Sequence, residues 1–162
     1  MTDTANDSMS AAEYRAETSV DPTAYDAAVA IDPGKNTGVA WTDCDGLHTA
    51  TTDFWDLLDE MESPERWPPD VAVILEAPYL SRPGMSANNT ALAYRSGQVA
   101  REAQLVRDRL ESLGYDIVEH DPSQQGSKWD SDMMRQIVGD WDGPDNEHTR
   151  DALRLLLFYS FI

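Results

Sequence analysis

The chain has 162 residues, with 30 acidic against 12 basic, a formal net charge of −18 and a pI near 4.2. That length allows one domain with a real core, and an apolar content of 41% is ordinary for a globular protein. A single cysteine, Cys44, excludes an intrachain disulfide framework and a cysteine-based zinc site. Cys44 is expected to be a small buried hydrophobe rather than a nucleophile. No apolar run approaches the roughly 20 residues that span a bilayer. The first residues lack the basic-then-apolar layout of a signal peptide, so a cytoplasmic location is expected.

The acidic residues run along the whole chain, and only two of the cations, Lys35 and Lys128, are lysines. Such a surface suits concentrated salt, where the Debye length shrinks to roughly 3 Å at about 1 M and self-repulsion is muted. The expected source is a halophilic archaeon or a virus of one. At low ionic strength this charge would repel nucleic acid, and binding by counterion release also weakens as salt rises. Any nucleic-acid contact must then rest on a few placed cations, metal ions and shape.

Residues 1–25 are polar, acidic and rich in small side chains, with one possible helical turn near 11–16. They read as a flexible arm preceding one domain over 26–162. Ala27 to Ile31 form a short unbroken apolar run, the pattern of a buried central strand, and it ends on Asp32. Pro33-Gly34-Lys35-Asn36-Thr37-Gly38 supplies turn chemistry, with glycines free to take positive φ and Pro33 fixing its own φ. Val39-Ala40-Trp41 resumes a strand. After a second turn at 43–46, residues 47–53 read as a third strand, giving an antiparallel meander. A short helix follows with Phe54, Leu57, Leu58 and Met61 on one side.

Val71 to Leu75 is a second unbroken apolar run, a predicted parallel strand, and it too ends on a carboxylate, Glu76. Residues 81–89 are a polar loop. The longest predicted helix spans 90–113, with Leu92, Val99, Ala103, Val106, Leu110 and Leu113 recurring at threes and fours, and Gly114 as its stop. Residues 115–120 read as a fifth strand, 131–138 as a helix, and 146 onward as a last helix bearing Ala152, Leu155, Leu156 and Tyr159. The order β-β-β-α-β-α-β-α-α predicts an α/β domain with a mixed sheet.

Two buried strands that each end on a carboxylate are unusual, because a charge beside a core needs a partner or a metal. His148 and Asp151 are three apart and share one face of the last helix. If the strands ending at Asp32 and Glu76 are parallel neighbours, both lie where open α/β sheets place their sites. Asp151 would complete a set of hard oxygen ligands suited to Mg²⁺ or Mn²⁺. Two such ions about 4 Å apart activate water and stabilise a leaving oxygen in phosphodiester cleavage. His148 is open between ligand and water-orienting base.

These residues resemble the RuvC-type Holliday-junction resolvases of the RNase H-like nucleases. IDPGKNTGVAW resembles their first motif, VAVILEAP their second, ALAYRSGQVAREAQL the helix that follows, and HTRDALRLLL the last. The resemblance implies an RNase H-like fold, with three antiparallel strands, then two parallel, flanked by helices. It also implies a homodimer and a crossover junction endodeoxyribonuclease that cuts four-way DNA with two Mg²⁺ or Mn²⁺ ions and leaves 5′-phosphates. On it, Asp32, Glu76, His148 and Asp151 are the catalytic and metal-binding set. The chain departs from the family in having few lysines after the fifth strand. Lys35, Arg82, Lys128 and Arg135 are the expected DNA contacts, while Met85 and Tyr79 are expected to pack rather than stack on bases. Alternatives are an RNase H-like nuclease acting on other branched DNA or precursor RNA, and a non-catalytic junction-binding module. An actin-like nucleotide-binding fold shares the first hairpin's pattern but needs two such domains, for which this chain is too short.

Overall fold

The computed structural model describes residues 24–63, 70–81 and 90–162. Among them one sheet is formed by β1 (Ala28–Asp32), β2 (Thr37–Asp43), β3 (Gly46–Thr52), β4 (Ala72–Glu76) and β5 (Ile117–His120). Its order is β3-β2-β1-β4-β5. β1–β2 and β2–β3 are antiparallel, whereas β1–β4 and β4–β5 are parallel. The helices are α1 (Phe54–Glu60), α2 (Thr90–Ser112), α3 (Ser131–Val138) and α4 (Glu147–Phe158). The predicted meander, crossovers and mixed sheet are all present. The arm over residues 1–23 and its helical turn lie outside the described residues, as do Arg82 and Met85.

The twofold alternation of β1 and β4 sorts their side chains between two cores. Val29, Ile31, Val73 and Leu75 face α1 and α2, where they pack with Phe54, Leu57, Met61, Val106 and Leu110. Ala28, Ala30, Ala40, Ala72 and Ile74 face α3 and α4, against Met134, Ala152, Leu153, Leu155 and Leu156. The second face is mostly alanine, so α4 can lie close to the strands. Each fully buried leucine of α4 contributes about 2 kcal/mol to holding it there. By the same alternation Asp32 and Glu76, two residues beyond Ala30 and Ile74, belong to the α4 face. The β1–β4 register pairs Ile31 with Leu75, which makes the two acids neighbours at the strand tips.

Two local expectations are corrected, and the first turn does not use the freedom of its glycines. Neither Gly34 nor Gly38 adopts positive φ; the described glycines that do are Gly46, Gly114, Gly126, Gly139 and Gly143. The first turn is closed instead by Thr37, whose hydroxyl donates to the Gly34 carbonyl at 2.8 Å. Gly38 serves close approach, since a Cβ there would lie 2.1 Å from the carbonyl oxygen of His148. Cys44 is exposed, not buried, because it sits at the β2–β3 turn. Leu113 is 38% exposed, as it lies past the end of α2.

Candidate active site

α4 begins where the site does. Asn146 is its N-cap, accepting from the Thr149 amide at 3.1 Å while the Thr149 hydroxyl accepts from the Asn146 amide at 3.0 Å. Such reciprocal capping satisfies two otherwise orphaned donors. The Asn146 side chain also donates to Thr51 Oγ1 at 2.8 Å, which ties the helix start to β3. With Gly38 beneath it, the first turn of α4 then settles over the β1–β2 hairpin. His148 Nδ1 reaches Asp32 Oδ2 at 3.0 Å, and Asp151 lies one turn further on.

Asp32, Glu76, His148 and Asp151 line one cavity of about 370 Å³, together with Lys35, Asn36, Gln125, Lys128 and Arg154. Asp32 and Asp151 are each 8% exposed. Burial raises the pKa of Asp32, against the opposing hydrogen bond and charge of His148. Burial, followed by the charges of Asp32 and Asp151, pushes Glu76 up to about 8, with its carboxyl hydrogen-bonded to Asp32. The hydrogen bond that His148 makes to Asp32 raises His148. Lys128 Nζ meets Asp151 Oδ2 at 3.2 Å and also pairs with Glu147, and Arg154 Nη1 faces Asp151 Oδ1 at 3.6 Å. The site is thus a nest of carboxylates in which burial and mutual repulsion outweigh the nearby cations at Asp32 and Glu76.

That donor set, three carboxylates and an imidazole, fits a hard divalent cation such as Mg²⁺ or Mn²⁺. Raised carboxylate pKa values in a cleft are the electrostatic mark of a functional site. The tightest grouping of ligand-type atoms lies elsewhere. Among the described residues, Asp43, Cys44 and Asp45 alone form a trio with all such atoms within 4.8 Å of one another. It is an exposed turn whose Asp43 Oδ1 already accepts from the Asp45 amide at 2.8 Å and the Gly46 amide at 3.2 Å. A larger groove of about 950 Å³ beside Trp41 and α1 contains none of the four site residues.

All four sequence-predicted site residues therefore converge. Of the expected DNA contacts, Lys35 and Lys128 line the cavity. Arg135 does not: it pairs with Asp140 at 2.8 Å and Asp145 at 3.3 Å, and stacks 4.4 Å from the Trp141 ring centroid. Tyr79 is half-buried and its hydroxyl donates to Glu119. Sequence reasoning missed Glu147, the partner of Lys128, and Arg154. The signal for Arg154 was present, because it interrupts the apolar run Ala152-Leu153-Arg154-Leu155-Leu156.

The strand order, the parallel β1–β4 pair and the helices on both faces define an RNase H-like fold of the RuvC type. The chain is similar to T. thermophilus RuvC in complex with Holliday junction substrate, at a TM-score of 0.51 and 22% identity. The match covers 83% of this chain and 92% of that one. No family model matches the chain, and no curated protein matches it. Among the described residues no helix is long and apolar enough to cross a membrane.

Proposed function

We propose that the chain is a divalent-metal-dependent endonuclease that resolves four-way DNA junctions. The observation that carries this reading is the convergence of Asp32, Glu76, His148 and Asp151 on one cavity at the tips of β1 and β4. The likeness to a RuvC bound to a junction supports the substrate class. Asp32, Glu76, Asp151 and His148 would hold two Mg²⁺ or Mn²⁺ ions. Bound in that way, the ions supply Lewis-acid stabilisation of the developing charge and lower the pKa of an attacking water.

The chain's own residues do the rest. Lys35 in the β1–β2 turn and Lys128 offer cations to the phosphate backbone at the cavity's rim. Phosphate contacts of this kind position a substrate without reading its sequence. The amino end of α4 favours negative charge in the same place. His148 is oriented by Asp32, whose carboxylate favours the protonated imidazole. Two symmetric nicks across a junction call for two sites related by a twofold axis, hence a homodimer. The acidic surface suits a halophilic host or its virus, with function in molar salt.

Labelled four-way, flap and duplex DNA and a structured RNA, incubated with Mg²⁺ or Mn²⁺ in molar salt, test the proposal. Paired nicks with 5′-phosphate ends on the four-way substrate are expected. Preferential cleavage of the flap or the RNA, or no cleavage at all, overturns it.

A further inference from the structure

α4 carries one more charged side chain at the site, and the chemistry above does not use it. Arg154 is 5% exposed, one turn beyond Asp151, in a stretch otherwise made of alanine and leucine. A guanidinium this deep needs partners, since an unpaired ion is costly to take out of water. All its partners belong to the cavity or to the segment bordering it. Nη1 faces Asp151 Oδ1 at 3.6 Å, Nη2 donates to the carbonyl oxygen of Gln125, and Cζ lies 4.9 Å from the centre of the Trp129 ring.

One turn earlier, Arg150 donates from Nε to the Trp129 carbonyl at 3.2 Å. Segment 125–129 is therefore fastened to α4 at both ends, and Lys128 lies between the fastenings. The two oxygens of Asp151 are shared between two cations, Oδ1 facing Arg154 and Oδ2 facing Lys128. A planar guanidinium can stack on an aromatic ring, donate to a carbonyl and face a carboxylate together, which a lysine ammonium cannot.

We propose that Arg154 is a positioning residue of this site: it sets the rotation of the Asp151 carboxylate and seats the Lys128-bearing segment 125–129 against α4. It acts through those two groups and touches no reacting atom. The inference rests on the nuclease reading for its activity readout alone.

The test compares the full chain with Arg154→Lys and Arg154→Met in molar salt, by amide hydrogen exchange and by single-turnover and steady-state cleavage. Amides of 125–129 should exchange about tenfold faster in both variants, the loss of one charged hydrogen bond, with the strand amides unchanged. On the four-way junction kcat should fall about 100-fold, the scale of an ångström-sized misplacement, with KM nearly constant. Wild-type protection and turnover in Arg154→Lys would reduce Arg154 to a charge-balancing group and overturn the proposal. So would unchanged exchange of 125–129 in Arg154→Met. If Arg154→Met fails to fold, Trp129→Ala removes the stacking surface and leaves every charge paired. It should give the same local loss of protection, and its absence counts against the proposal. If the wild-type chain cleaves no branched DNA, the nuclease reading fails while the exchange pattern still decides the role of Arg154.

Discussion

Two sets of carboxylates flank the start of α4, and their surroundings are opposite. Asp145, just before the N-cap, accepts from Arg150 at 2.7 Å, Arg135 at 3.3 Å and the Ser131 hydroxyl. Burial pushes its pKa up, but the Ser131 and Arg150 hydrogen bonds and the two arginine charges outweigh this and hold it low. Asp32 and Glu76 are more deeply buried, lie near a third carboxylate, and are pushed up. Two arginines meet one peripheral aspartate, whereas burial outweighs His148 at Asp32 and Lys128 at Glu76. Asp145 serves the architecture, joining α3 to α4. Raised carboxylate pKa values of this kind cost stability and are common at functional sites.

The contrast can be broken first at Asp32. Asp32→Asn should lower cleavage by roughly 1,000-fold or more, the scale of losing a main electrostatic contributor to the transition state. The same substitution should raise the melting temperature of the metal-free protein, because it removes one of the repelling buried charges. A junction-cleavage assay and a melting curve in chelator measure the two halves. Activity retained, or stability lost, would erase the distinction drawn here.

The pH dependence sharpens it. Glu76 is pushed from its ordinary 4.5 to about 8, Asp32 is raised, and His148 is raised above 6.5. Between about 4.5 and 8 the folded chain thus binds more protons than the unfolded one, so raising the pH should destabilise the metal-free protein. Adding Mg²⁺ or Mn²⁺ should flatten or reverse that slope, since the ions compete with those protons. Melting temperatures across the window, with and without metal, give the comparison directly.

The smallest effect is expected at the other set. Asp145→Ala should destabilise the fold by about 1.5 kcal/mol, since it strips charged hydrogen bonds from partly exposed arginines. Cleavage by the folded fraction should be unaffected, as Asp145 does not line the cavity. Denaturant titration alongside the cleavage assay separates the two.

Much of the site was legible because its signals are local. An apolar run that stops on a carboxylate marks a strand tip, and twofold alternation assigns that carboxylate a face. A three-residue spacing puts His148 and Asp151 on one side of a helix whatever surrounds it. What stayed hidden is what depends on a distant neighbour. Gly38 looked like a turn glycine, but its reason is the His148 carbonyl, 110 positions away in the chain. Arg135 has the charge for a DNA contact, and only the fold shows that Asp140, Asp145 and Trp141 engage it.

The sequence alone therefore determined the succession of strands and helices, the acids that end β1 and β4, and the His148–Asp151 pair on one helix face, because backbone periodicity is set residue by residue. Only the tertiary structure decided how closely α4 could approach, which cations face the carboxylates, and that Arg154 points inward while Cys44 points out. Those outcomes depend on which faces meet across the chain. Packing decides them, and local patterns such as the interrupted apolar run at Arg154 only hint at the outcome.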